Sequence, residues 1–234
     1  MLCDAKGGVM MRIAEIEKLL IAGDCSEELF EQYKVALKRV PKNLRCQHCR
    51  ATAAAMPLHC SVFAIALISY GLEFCESWVD NMCAYYHMAV IYERNKNFDR
   101  ALVCYKNALG AVPDPKEAYA FEYAAHMLRV EMHIHQFTYT DDLRAYYEKS
   151  IQMDKFSQSF LKKQFYKKLA EIVIFSHEGR RKEARSAIEE AAAMLSPTYK
   201  GPVTELLKRK KINETVGATE EAIAFLKKMR GGIL

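Results

Sequence analysis

The chain has 234 residues, of which 51% are hydrophobic and 27% charged, with only ten glycines and six prolines. That balance excludes a disordered chain, and it is too poor in turn residues for an all-β protein of this length. The net charge of +5 is uneven: residues 151–234 hold 17 Lys/Arg against 10 Asp/Glu, so acidic partners would be steered to the C-terminal third.

Residues 1–9 carry Asp4, Lys6 and two glycines and have no apolar core, so they do not read as a secretory signal. They are expected to form a disordered extension, with one continuous domain over 10–234. Helical periodicity then runs along the chain in about twelve segments. They are 10–22, 26–40, 43–55, 58–76, 82–95, 98–111, 115–136, 140–153, 157–177, 180–195, 199–213 and 218–230. Gly23 and Asp24 close the first segment, and Ser26 caps the second. Pro41, Pro57, Pro113, Pro115, Pro197 and Pro202 stand at helix starts or just past helix ends, where a missing N–H is tolerated. Asn95, Lys96 and Asn97 mark one tight turn, and Gly179 marks another. Short connections imply neighbours that pack antiparallel.

The longest apolar run, Val62 to Ile68, falls short of the roughly 20 residues that a membrane-spanning helix needs. No membrane association is expected, and the location is read as cytoplasmic. The eight cysteines are scattered through apolar helical segments, as Cys60, Cys75, Cys83 and Cys104 are, and frame no short loops. They are expected to pack as free thiols in a reducing compartment.

The segment from Met82 to Pro115 carries the most specific pattern. Tyr85 opens it, Met88 and Ala89 follow as a large and small pair, and Tyr92 closes its first helix. Beyond the turn come Ala101, Tyr105, Ala108 and Pro113. Ala89 and Ala101 are small where two helices would cross, and Tyr92 and Tyr105 fill the flanking space. Pro113 stops the second helix. This stretch resembles one tetratricopeptide repeat, departing from it only by Tyr for Trp, Met for Leu, Ala for Gly and Tyr for Phe.

Two looser copies flank it. Ile13, Ile16, Leu20, Leu29, Tyr33, Ala36 and Pro41 fall at the same offsets, with Glu17 where a small residue is expected. Farther on, Phe175, Gly179, Ala184, Ile188 and Ala191 fit, with Glu171 in the place of a leucine. The resemblance implies an all-α fold in which antiparallel helix pairs stack as a right-handed α-solenoid. It also implies a non-enzymatic scaffold that binds a protein or peptide in a concave groove lined by the first helix of each pair. The residues it places there are Cys83, Tyr86, Val90 and Glu93 in the best copy, and Tyr166, Leu169, Val173 and Ser176 in the later one. Family members that clamp acidic chaperone termini use lysine and asparagine on this wall. Tyr86, Val90 and Glu93 occupy those positions here, so the implied groove is apolar or aromatic.

Other chemistry is thin. Cys46 and Cys49 form half of a zinc set, but the adjacent His59 and Cys60 do not complete it, and on a helix both cysteines lie on one face. Glu122, His126, His133 and His135 cluster on and beyond one long segment without a His-Glu-x-x-His order. No nucleophile elbow, phosphate loop or dinucleotide loop occurs, and neither a catalytic residue, a metal nor a cofactor is expected. The basic stretches Lys162-Lys163, Lys167-Lys168, Arg180-Arg181-Lys182 and Lys208 to Lys211 alternate with Phe156, Phe160, Phe165, Tyr166 and Phe175. They keep open an alternative, a ligand-sensing or RNA-associated module acting through residues 162–211. The amphipathic last segment, Ala222 to Met229, leaves a homodimer through one end of the array open.

Overall fold

A computed structural model describes residues 11–114, 118–152, 161–196 and 218–232. Among the described residues the chain is all-α, with eleven α-helices, one short 3₁₀ turn and no strand. The helix expected over 199–213 lies outside the described residues, as do all of 153–160 and the N-terminal extension.

The backbone divides into two compact units, residues 1–113 and 114–234. In the first, α1 (Ile13–Ala22) ends at Gly23, whose φ of 102° only glycine adopts cheaply. The N–H groups of Gly23 and Asp24 return to Leu20 and Leu19 and satisfy the last carbonyls. Ser26 then caps α2 (Glu27–Leu37), its Oγ accepting from the Leu29 N–H at 3.3 Å. Pro41 precedes α3 (Lys42–Ala55). The segment expected as one helix over 58–76 divides into a 3₁₀ turn, Leu58–Cys60, and α4 (Ser61–Leu72).

The next helix, α5 (Trp78–Arg94), starts four residues earlier than expected. Ser77 is the reason: its Oγ accepts from the Asp80 N–H at 3.1 Å and donates to the Asp80 carboxylate at 2.8 Å, closing the first turn. Asn97 caps α6 (Phe98–Gly110).

Contacts within this unit follow a regular order. Each helix packs on its successor within the pairs α1–α2, α3–α4 and α5–α6, and the first helices of successive pairs also touch, α1 on α3 and α3 on α5. The core between them is built from Ile16, Leu20, Tyr33, Leu37, Cys49, Leu67, Ile68 and Ala84, among others.

The second unit contains α7 (Ala118–Ile134), α8 (Asp141–Ile151), α9 (Leu161–His177), α10 (Arg181–Met194) and α11 (Glu220–Gly232). Thr140 caps α8, and Gly179 (φ 71°) turns the chain from α9 into α10. The first helices touch here too, α7 on α9, while α10 receives α11. Phe137, held at a positive φ of 60° just past α7, is buried and stacks on Phe225 of α11 at 5.0 Å. Its core centres on Leu128, Met132, Leu143, Phe165, Leu169, Ile172 and Ile188.

Candidate functional site

The pair α5–α6 holds the residues of the Met82 to Pro115 pattern, and they sort by size as close helix packing demands. Ala89, Ala101 and Ala108 are completely buried, so a side chain of one methyl sits wherever the two backbones approach. Tyr105 is also fully buried, and its hydroxyl donates to the Glu93 carboxylate at 2.9 Å. A buried phenol thus keeps a hydrogen bond, as it must to offset desolvation. Tyr85, Met88 and Tyr92 are half-buried, Arg100 lies 5.8 Å over the Tyr92 ring, and Pro113 is exposed just beyond α6.

Of the candidate groove residues on α5, Cys83, Tyr86, Val90 and Glu93 are all half-buried. Tyr86 rests against Tyr105, with ring centroids 6.1 Å apart, and against His87 at 5.6 Å. His87 itself bonds the Cys83 carbonyl through Nδ1 at 2.8 Å, and burial pulls its pKa below the ordinary value.

The later copy is placed differently. Tyr166, Leu169 and Val173 are buried and belong to the core of the second unit, and Ser176 is exposed. The Tyr166 hydroxyl meets His133 Nε2 at 2.9 Å, which ties α9 to α7. These three side chains therefore hold helices together, and Ser176 alone of the four lies on an open surface.

The two acids that interrupt the repeat pattern have specific partners. Glu17 Oε1 meets His48 Nδ1 of α3 at 2.8 Å and receives the Tyr33 hydroxyl of α2 at 3.4 Å. Glu171 is buried, and it accepts from the Tyr147 hydroxyl at 3.0 Å and from Lys168 Nζ at 2.7 Å. Lys168 also reaches Glu190 at 2.8 Å. Burial works against the lysine charge, but the hydrogen bonds to Glu171 and Glu190 outweigh it and raise its pKa. Glu190 is lowered, first by Lys168.

The histidine cluster resolves into separate pairings. His126 lies 3.9 Å from Glu122 and 3.1 Å from Arg129, His133 bonds Tyr166, and His135 lies 3.3 Å from the buried Glu131. Among the described residues, no group of three His, Cys, Asp or Glu is placed to hold a metal ion.

The basic stretch is laced with carboxylates where it is described. Besides Lys168, Arg180 contacts Glu178 and Glu183, both at 3.1 Å, and covers the Phe175 ring at 4.2 Å. Phe165 is fully buried. Lys208 to Lys211, Phe156 and Phe160 lie outside the described residues.

The cysteines depart from expectation. Cys25, in the α1–α2 turn, and Cys60, in the 3₁₀ turn, form a disulfide across 35 residues, with Cα atoms 6.1 Å apart. The turns bring together two residues that sequence distance had kept apart. Cys46 and Cys49 share the buried face of α3. Burial, with Cys46 nearby as a second cause, pushes the Cys49 thiol up to about 12. Cys46 Sγ lies 2.8 Å from Cys75 Sγ.

No helix among the described residues is long and apolar enough to cross a membrane. Compared with protein-family models, with curated proteins and with solved structures, the chain matches none.

Proposed function

We propose that the chain is a non-enzymatic binding scaffold of tetratricopeptide type, a right-handed array of helix pairs that takes an extended or helical peptide against α5. The observation that carries this reading is the α5–α6 pair. Its small signature residues are sealed between the helices, while Cys83, Tyr86 and Val90 stay half-open at helical spacing on α5. A row of one thiol, one aromatic ring and one branched aliphatic side chain suits a peptide anchored by apolar residues at alternate turns. Glu93 ends the row and is engaged with Tyr105, so it shapes the wall more than it selects charge. The pairing of Lys168 and Arg180 with carboxylates favours a protein ligand over nucleic acid.

A display library of random twelve-residue peptides, selected on the immobilised protein, tests the proposal. Enriched apolar peptides should bind with micromolar affinity and lose about tenfold or more on Val90→Glu or Tyr86→Ala. Helical circular dichroism of each variant guards against a folding artefact. If no peptide is enriched, or if both variants bind unchanged, the reading fails. Preferential capture of single-stranded RNA with a steep salt dependence would shift the assignment to the basic third.

A further inference from the structure

We infer that Cys46 and Cys75 form a thiol pair that closes reversibly to a second disulfide, by exchange with a low-molecular-weight disulfide such as oxidised glutathione. The two sulfurs stand 2.8 Å apart, about 0.8 Å beyond the length of a disulfide bond. They come from different elements, Cys46 from α3 and Cys75 from the turn between α4 and α5. Closure therefore needs a sub-ångström approach of side chains and no rearrangement of helices.

The two thiols differ in access, which assigns their roles. Cys46 is 2% exposed, whereas Cys75 is half-exposed. A thiolate at Cys75 attacks one sulfur of the oxidant, forming a Cys75–glutathione bond and expelling glutathione thiolate, which takes up a proton. Cys46, having lost its own proton, then attacks the Cys75 sulfur, forms the Cys46–Cys75 bond and expels the second glutathione. The protein loses two electrons and two protons, and one oxidised glutathione becomes two reduced molecules.

Burial and, less strongly, Asp80 hold both thiols up, and Arg50, one helical turn beyond Cys46, is the smaller counterweight. Its positive charge favours the thiolate at both Cys46 and Cys75, while Asp80 disfavours it. Its Nη1 is buried and has no hydrogen-bond partner among the described residues. Burial raises both thiols, so exchange is slow compared with that of an activated catalytic cysteine. Such a pair suits a lasting response to oxidising conditions. Its bond would tie α3 to the start of α5, the helix that bears Cys83, Tyr86 and Val90.

The test treats the folded full-length protein with oxidised glutathione, blocks remaining thiols with N-ethylmaleimide and digests with trypsin and chymotrypsin. Cys46 then lies in the peptide CQHCR and Cys75 in CESW. The expected result is a CQHCR–CESW linkage, a loss of two free thiols per chain and reversal by dithiothreitol. In Cys46→Ser the linkage should vanish and Cys75 should retain glutathione, and Cys49→Ala should leave the linkage intact. The inference is overturned if folded wild-type protein gives no such linkage, if wild-type Cys75 keeps glutathione, or if the bond needs Cys49. Should a variant fail to fold, fragmentation of the wild-type linked peptide decides the matter, because cleavage between Cys46 and Cys49 shows which of the two holds CESW.

Discussion

Gly71→Ala tests the close approach of α3 and α4. A methyl at Gly71 would stand 2.8 Å from Cys49 Cβ, 3.4 Å from Cys49 Sγ and 3.7 Å from Cys46 Cα. Carbon atoms settle at about 3.5–4.0 Å, so the helices must part by roughly 1 Å here. Cys49 Cβ is fixed to its own backbone and cannot rotate away. Overpacking of this kind costs about 1–3 kcal/mol, and the gain in helix propensity returns up to ~1 kcal/mol. The net loss is about 1–2 kcal/mol, which for a urea m-value of about 2 kcal/mol/M lowers the midpoint by about 0.5–1 M. Trp78, the only tryptophan, lies in the first unit at the start of α5, so its fluorescence in a urea titration reads this unit. Gly110→Ala is the control, because its methyl meets nothing within 4 Å, and it should be neutral or stabilising by up to ~1 kcal/mol. A Gly71→Ala midpoint at or above wild type, with an unchanged slope, would refute the packing argument.

Three further outcomes are expected. Replacing Cys25 and Cys60 together by serine frees a loop of 35 residues and should cost about 4 kcal/mol, read by the same fluorescence titration; an unchanged midpoint would mean the bond constrains nothing. Alkaline pH should destabilise the first unit through Cys49, whose folded thiol resists ionisation up to about 12 against an ordinary 9.0. Because the folded value is the higher one, stability is complete below about pH 9 and declines as pH rises towards 12, by up to ~4 kcal/mol. Buried Tyr33, raised mainly by desolvation, acts in the same direction, and a melting temperature that stays level across that range would contradict both. Lys168→Met leaves the buried Glu171 carboxylate with Tyr147 alone and should cost about 1–3 kcal/mol by urea-dependent circular dichroism. The exposed Lys182→Met should stay within about 0.5 kcal/mol, and equal effects would disprove the special role of Lys168.

Local signals were legible in the sequence, and long-range ones were not. Gly23 and Gly179 mark a terminus by backbone conformation, Ser26 and Asn97 by a side-chain oxygen that caps the helix, and each stands where a turn was expected. The true start of α5 was equally local: Ser77 followed three residues later by Asp80 is a capping signal that the apolar pattern from Met82 overshadowed. The interior of the α5–α6 pair could be read because its small and large residues answer to the adjoining helix, as Tyr105 does to Glu93, 12 residues away. The surroundings of α9 could not. Tyr166, Leu169 and Val173 are buried in a core to which α7, α10 and α11 also contribute, and helical spacing alone does not tell a groove-lining position from one covered by another helix. The Cys25–Cys60 bond joins two turns and leaves no periodic trace.

Glu17 and Glu171 bear on which helix pairs could be exchanged within each unit. Arrays of identical repeats gain or lose whole units because every interface is the same as the next. Here Glu17 is answered by His48 from the following helix pair, and Glu171 by Tyr147 from the preceding one. Excising or duplicating a pair at either place would cost Glu17 its His48 contact and leave it Tyr33, or cost Glu171 its Tyr147 contact and leave it Lys168. Within each unit these polar contacts act as addresses that tie one helix pair to the particular pair beside it.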